Sequence, residues 1–586
     1  MQPPLSAPTT QQKKDREKTM TDSNGAHEPH GATGHEAPTS TNNPNATTNG
    51  TSNMPGATGS LDPTLQAAST AATRNKPPVW AIILAVLAVL AVIIGSIAAI
   101  RTLTSSNDTP AGHKESNVTI GVKLAPTNLD IRNTAGSALD QVLIDNVYEG
   151  LLDRGADNGV QPGIAQSWDV SDDGKTYTFE LADGMTFSNG DTLDSQDVVW
   201  SLNEAIKQGY HGSEFLSAVD TVTASDSSTV IITLKEPDAD LLWNLTGRAG
   251  LIYDEEAEGS YDPKTQALGS GPFTVEQFTA DDSITLKRND EYWGKNKAKT
   301  EQITIKYFTD NNAAVNALKS GDVALLAPIM PNVMQTFADD PEHYDVQPGD
   351  DTDKYTLAMN NGDGHATNDK RVRQAIRYAI DHDELIAARG GVDLPLYGPI
   401  PELDPGYEDL SALYPHDVAK AKQLLAEAGY NEQHPLKLTL TYPNIYGSEI
   451  GDMLRSQLAQ AGIDLDVQEV EFSTWLEQVY TNKQYDLSLV DHNESHDIGS
   501  WANPDYYFNY NNKQVQQLIN DARTAPTEQE SEAKLKQAAR IISEDAAADW
   551  LFNYRVTTAM AKGVEGFPVN MNQSFMPLVD FTYTKQ

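Results

Sequence analysis

AQSWDVSDDGKTYTFELADGMTFSNGDTLDSQDVVWSLN, residues 165–203, changes its local pattern at every few positions. SDDG reads as a turn, KTYTFEL alternates with the period of two of a half-buried strand, and ADG turns the chain again. Asp194 or Ser195 then stands where a helix N-cap belongs, just ahead of Val198, Val199 and Leu202. The next elements follow the same grammar. Val219–Thr223 and Thr229–Leu234 form a hairpin across ASDSS.

Upstream, VTIGVKL (118–124) reads as a strand, and a helix is expected from about Ser137 to Leu151 on the spacing of Leu139, Val142, Leu143, Val147 and Leu151. Downstream, QITIKYF (302–308) is a strand, followed by a helix over Asn312–Lys319 that ends at Gly321. Strand followed by helix points to α/β layering. YTLAMN (355–360) is another strand, and RVRQAIRYAIDHDELIAA (371–388) is amphipathic, with Val372, Ile376, Ala379 and Ile380 on one side. Val418–Ala428 is a helix closed by Gly429. LKLTLTY (436–442), a helix over Ser448–Ala461 closed by Gly462, and IDLDVQEV form a strand–helix–strand unit. YDLSLV (485–490) is apolar enough for a sheet interior, and helices follow near Gln514–Ala522 and Glu528–Ala547. No internal repeat is evident, so the reading is a large mixed α/β protein with two sheets.

Ahead of that region the composition changes. Residues 1–78 are rich in Thr, Asn, Gly, Pro, Ala and Ser and cannot bury enough apolar area to offset their ordering entropy, so they read as a disordered tail. His27, His30 and His35 are incidental there. Val79–Ile100, VWAIILAVLAVLAVIIGSIAAI, is 22 residues without a charge. A helix of that length crosses roughly 30 Å of hydrocarbon. A signal core runs about 7–15 apolar residues near the start of a chain. This run is longer and begins after 78 residues, so it reads as a retained transmembrane helix, with Ser96-Ile97-Ala98 a loose match to a cleavage site. Arg74 and Lys76 precede it and Arg101 follows. The positive-inside rule puts the tail in the cytoplasm and the large C-terminal part outside, single-pass in the cell membrane. Residues 101–116 read as a flexible tether.

The chain carries 83 acidic and 42 basic residues, for a net charge of -41, and essentially all of the excess lies beyond residue 101. Such a surface repels nucleic acid, which is excluded as a partner. Cysteine is absent, which rules out thiol chemistry, disulfides and an acylated-cysteine anchor. GADNG at 155–159 lacks the spacing of a dinucleotide fingerprint and reads as a turn. No nucleophile elbow is present. Scattered carboxylates carry no weight in so acidic a chain, and the reading is of a protein that is not an enzyme and needs no cofactor.

The dense polar segment is DHNESHDIGSWANPDYY, 491–507, directly after a buried strand, where α/β proteins favour ligand sites. Asp491, His492, Glu494, Asp497 and Asn503 are the candidate polar contacts, and Trp501, Tyr506 and Tyr507 offer flat walls with hydrogen-bonding tips. The alternatives are an acidic loop of purely structural role and ordinary aromatic packing. His492 and His496 would share a face if the segment were helical, which makes them the alternative metal ligands. Trp243, Tyr253 and Tyr397 have weaker reason to point into the same cleft.

Four motifs in order, at 165–203, at 269–294 (GSGPFTVEQFTADDSITLKRNDEYWG), at 317–325 (ALKSGDVAL) and at 369–386 (DKRVRQAIRYAIDHDELI), give the chain a resemblance. It resembles the family 5 extracellular solute-binding proteins of ABC importers, the dipeptide- and oligopeptide-binding class, over about 117–584. The resemblance implies a two-lobed, periplasmic-binding-protein-like fold of class II type. Lobe 1 would be 117–358, with an extra subdomain, 359–554 would be lobe 2, and 555–586 would return to lobe 1. It implies a monomer that encloses a peptide or other small organic ligand and presents it to the transmembrane subunits of an ABC permease. Family peptide binders place an Asp four residues before the proline of an acidic, tryptophan-containing segment, where it pairs with the peptide amino group. Aligning on Pro504 puts Ser500 there, with Asp497, Glu494 and Asp491 nearby as substitutes. The family also includes binders of nickel, haem and oligosaccharides, and a non-transport surface receptor is the remaining alternative. In this setting Val79–Ile100 would replace the lipid-modified cysteine that tethers such binders in Gram-positive cells.

Overall fold

Six consecutive buried residues in Lys354–Met359, and six more in Ala548–Asn553, mark strands covered on both faces. In the computed structural model, which describes residues 113–585, they sit side by side in a five-stranded sheet. Its order is Ile463–Val470, Leu436–Pro443, Leu487–His492, Lys354–Met359, Ala548–Asn553. Alternation sends Tyr355, Leu357 and Met359 toward Val372, Ile376, Leu424 and Leu454 on the covering helices. Ala358, Val490 and Trp550 turn to the other side, among Trp475, Trp501, Tyr507 and Ile542. Each fully buried side chain of this size contributes about 1.5–3 kcal/mol.

A seven-stranded sheet brings together strands from early and late in the described chain. Asn117–Val122 pairs in parallel with Gln302–Tyr307 and with Leu325–Ala327. Val556–Ala561 lies antiparallel between Leu325–Ala327 and Tyr344–Gly349. Ile120, Ile303, Ile305, Leu325 and Phe581 belong to one core there. The described chain is already paired at His113–Lys114, which lies against Thr582–Lys585, four residues before the expected start of the folded part.

The 165–203 motif builds a separate four-stranded sheet, ordered Ala165–Val170, Thr176–Leu181, Thr229–Leu234, Val219–Asp226. Phe179, Val198, Leu202 and Ile232 are in its core. Asp194 accepts the Gln196 N–H at 2.7 Å, and the Asp197 carboxylate accepts the Asp194 N–H at 2.9 Å, closing a capping box on the Ser195–Gln208 helix.

The described residues form five sheets rather than the expected two. The last helix stops at Glu544 because the chain turns into the Ala548–Asn553 strand, and three further elements differ from the sequence reading. The helix at Ser137 ends at Leu143, because Ile144 turns extended and Asp145 takes a left-handed φ of 56. Residues 371–388 form two helices, Lys370–Ala379 and His382–Ala388. Ile380 is extended, and the Asp381 carboxylate caps the second helix by accepting the Glu384 N–H at 3.1 Å. The first hairpin strand runs on to Asp226, which shortens the connection.

Among the described residues no helix is long and apolar enough to cross a membrane. The expected tail 1–78, the expected span Val79–Ile100 and most of the expected tether lie outside the described residues.

Candidate binding site

The chain passes from the seven-stranded to the five-stranded sheet through Asp350–Asp353 and returns through Tyr554–Arg555. The two crossings are laced together. Asn553 Nδ2 donates to the carbonyls of Asp351 and Asp353 at 2.9 and 2.8 Å, and Tyr554 N–H donates to Asp353 O at 3.0 Å. Arg555 Nη2 pairs with Asp350 at 2.9 Å.

Lys354 opens the central strand beside these crossings and is only 2 % exposed. Its ammonium donates to Thr352 O at 3.1 Å and Glu494 O at 2.8 Å, and lies 3.2 Å from Asp497. Burial works against that charge, but Asp497 and Asp404 outweigh it and hold the lysine above its ordinary pKa. Its effect is to pin the 494–497 loop onto the sheet.

Asp491, on the neighbouring strand opposite Tyr355, is the sequence candidate that the loop leaves free. Its N–H donates to Tyr446 Oη at 3.1 Å, while its Oδ1 is buried and has no hydrogen-bond partner among the described residues. Burial, reinforced by Asp351, pushes the Asp491 carboxyl up to about 7. Asp351 is likewise raised to about 7, chiefly by burial. Asp353 is raised well above its ordinary value by burial and by the charges of Asp351 and Asp491.

The remaining candidates are placed differently. His492 Nε2 meets Tyr507 Oη at 2.9 Å, and the two rings lie within 5° of parallel. Burial, with help from Lys354, drives that imidazole down to about 3, so it is neutral. Trp501 stacks on Phe508 at 4.0 Å, and both Trp501 and Tyr507 are core side chains, not walls of an open cleft. The half-buried Tyr506 stands edge-on to Tyr480. Asn503 is exposed and accepts the Asp505 N–H at 2.9 Å, closing a turn. Glu494 is exposed, and Asp497 is paired with Lys354.

His492 and His496 do not converge as a metal pair, because 492 is still strand while His496 bends to a φ of 56 and faces elsewhere. Among the described residues the acids able to close on one ion are Asp197, Asp254 and Glu256. Asp197 is already occupied by the capping box.

His496 belongs to a seam joining this loop to the four-stranded region. Its ring stacks on Trp243 at 4.2 Å, and its Nδ1 lies 2.9 Å from Asp240. Asn158, in the turn of GADNG, donates to Asp404 at 3.1 Å and to Ser495 Oγ at 2.8 Å, and accepts the Trp243 Nε1–H at 3.3 Å. The Arg154 guanidinium covers the other ring system of the seam, 4.4 Å from Trp243. A cavity beside it is lined by Asp240, Ile400, Asp404, His496, Asp497 and Arg523, among others. Trp243 thus does reach the loop. Tyr253 packs into the core of the seven-stranded sheet, and Tyr397 stacks on His382.

Asp351, Asp353, Lys354, Asn158 and Asp404 had no signal of their own in the sequence. Asn553, at the end of the 548–553 strand, reaches the carbonyls of Asp351 and Asp353, a contact between distant segments that no local pattern announces.

The fold is thus two large sheets joined by paired crossings, with a polar loop at a strand end beside them. The family description "Bacterial extracellular solute-binding proteins, family 5 Middle" matches residues 159–517, more than half of the chain. The chain belongs to that family, which is made up of solute-binding proteins. A glutathione-binding protein, GsiB, of Salmonella paratyphi A is 27% identical over 462 residues, covering 75% of this chain and 90% of the relative. The ABC transporter substrate binding protein CtaP of Listeria monocytogenes superposes with a TM-score of 0.73 at 23% identity, over 80% of this chain and 100% of that one. The periplasmic binding protein DppA of Helicobacter pylori, in complex with the peptide STSA, superposes at 0.65 and 20% identity, over 81% of this chain and 99% of that one. These two likenesses carry the fold.

Proposed function

We propose that the protein is the solute-capturing subunit of an ABC importer, that its ligand is a peptide or peptide-like organic amine, and that Asp491 takes the ligand's ammonium group. The observation that carries this reading is the Asp491 carboxylate. One of its oxygens is buried with no hydrogen-bond partner among the described residues, and the group stands beside the crossings, where a ligand could touch both sheets. A buried carboxylate in that state is stabilised by an incoming cation that brings its own hydrogen-bond donors. Relatives that bind glutathione or a peptide support the ligand class.

In this reading residues 117–358 and 555–586 are one lobe, with the four-stranded sheet as its extra subdomain, and 359–554 are the other. A ligand that contacts both lobes only when they are shut biases the hinge toward closure, and the shut form is what the permease receives. The uncharged run Val79–Ile100 supports a single-pass membrane tether that holds the capture domain near that permease at high effective concentration. Isothermal titration of the full chain with a library of short peptides tests the reading. Dissociation constants of about 1 μM or below for some members are expected, and absence of binding across the library would overturn the peptide assignment.

A further inference from the structure

Segments far apart in sequence meet at the seam, and most of what joins them carries fixed charge or none. Asn158 bridges to Asp404 and Ser495. Arg523 pairs with Glu236 at 3.1 Å, and its carbonyl accepts the Ala239 N–H at 2.9 Å. His496 is the exception, because histidine is the side chain that changes charge between about pH 5 and 8.

The ring is placed to gain a proton without losing a bond. A carboxylate can only accept, so the 2.9 Å contact with Asp240 puts a hydrogen on Nδ1. Among the described residues His496 bonds only through that nitrogen and its backbone N–H, which leaves Nε2 without a partner beside the cavity. A proton arriving at Nε2 turns the Nδ1–H···carboxylate hydrogen bond into an ion pair, which is the stronger contact. It also sets a cation 4.2 Å from the centre of the Trp243 ring. His492 offers no such change, since Tyr507 holds its Nε2 and burial keeps it neutral. The charged groups facing His496 from the packed elements are Asp240, Asp404, Asp497, Arg523 and, at Trp243, Arg154. Lys354 answers Asp497 and Glu236 answers Arg523, while Asp404 is bonded to neutral donors. Asp240 and Asp404 are therefore the acids left to receive a new positive charge.

Resting on the two-lobe reading above, we propose that His496 is a positioning residue, a proton-dependent latch that draws the four-stranded subdomain and the 359–554 lobe together through Asp240 and Trp243. The shut form then holds the proton more tightly than the open form. By linkage its advantage is complete in acid and is lost as pH rises through the histidine range. The latch sets how readily the lobes shut and touches no ligand atom.

The test is spin-label distance measurement on the ligand-free full chain, which has no cysteine of its own. Labels go at Asp220→Cys on the subdomain and Gln537→Cys across the seam, both exposed positions. From about pH 8 to about pH 5.5 the ratio of short to long distances is expected to rise about threefold, the modest gain of an ion pair with a partly exposed carboxylate. In His496→Gln, which keeps a donor for Asp240, and in Asp240→Asn the rise disappears; two separate variants guard against either failing to fold. Asp238 and Asp497, each raised to about 6 chiefly by burial, titrate in the same range. They do so in His496→Gln as well, so the difference between the two proteins isolates the ring. Ligand affinity is a poorer readout, because Asp351 and Asp491 also change charge there. An equal rise in wild type and His496→Gln, or no rise in either, would overturn the latch, and a mixture of short peptides that still shortens the distance would leave the two-lobe reading standing. One fixed distance that neither acid nor the peptides alter would overturn the hinge itself.

Discussion

Asp351 and Asp491 are held near 7, against about 3.9 for an unfolded aspartate. A carboxyl whose pKa is raised by folding favours the fold most when protonated, so its contribution is complete below the unfolded value and is lost as pH rises through the folded one. Ligand-free protein therefore loses stability between about pH 4 and 7 through these groups. Asp351→Asn is expected to stabilise it by about 1–3 kcal/mol near pH 8, and by less near pH 5, as thermal melts at the two pH values would show. Lys354 has the opposite character. Replacing it with Met leaves Asp497 buried without its cation and frees the 494–497 loop, at a cost of about 3–5 kcal/mol, measured by urea unfolding. At this scale the sequence was partly legible. The density of acids at 491–497 placed Asp491 among the candidates without separating it from Glu494 or Asp497, and Trp501 and Tyr507, attractive as flat walls, are core residues. A spacing of aromatics does not reveal which face of a loop folds inward.

Elements depend on where backbone may approach backbone. Gly349 ends the strand that leads into the Asp350–Asp353 crossing, and a Cβ there would meet Val569 O at 1.6 Å. Gly349→Ala must push the returning segment away, at a cost of about 1–3 kcal/mol or more, and differential scanning calorimetry would register it as a lower Tm. Asp194→Ala removes half of the capping box and is expected to cost about 1 kcal/mol, visible as a fall in Tm by circular dichroism. Local chemistry made such features readable. The helix start at Asp194 or Ser195, and the glycines at 321 and 462 that close their helices, were plain in the sequence, while the reciprocal bond from Asp197 was not. The break at Ile380–Asp381 was not, because its apolar spacing continues the helical face and only the Asp381 cap betrays the second start.

Across the whole molecule, the order of strands was the part hidden from sequence. Nothing in VTTAMA announces that it inserts between strands more than two hundred residues upstream. The α/β class and the family motifs were legible, since both depend on local succession. The Trp243–His496 stack and the Asn158 bridge join distant loops, and they hold the seam together. Trp243→Ala is expected to weaken ligand affinity by about fivefold to tenfold and to enlarge the ligand-bound radius of gyration in small-angle scattering. Unchanged affinity and radius would remove the seam from closure. The central claim, capture of a ligand ammonium at Asp491, is tested most directly by titrating the full chain with one tight-binding peptide in its free and N-acetylated forms, alongside the Asp491→Asn variant. The account predicts that acetylation and the substitution each weaken binding by about a hundredfold, and that in the variant acetylation makes little further difference. Equal affinity for the free and acetylated peptides would contradict it.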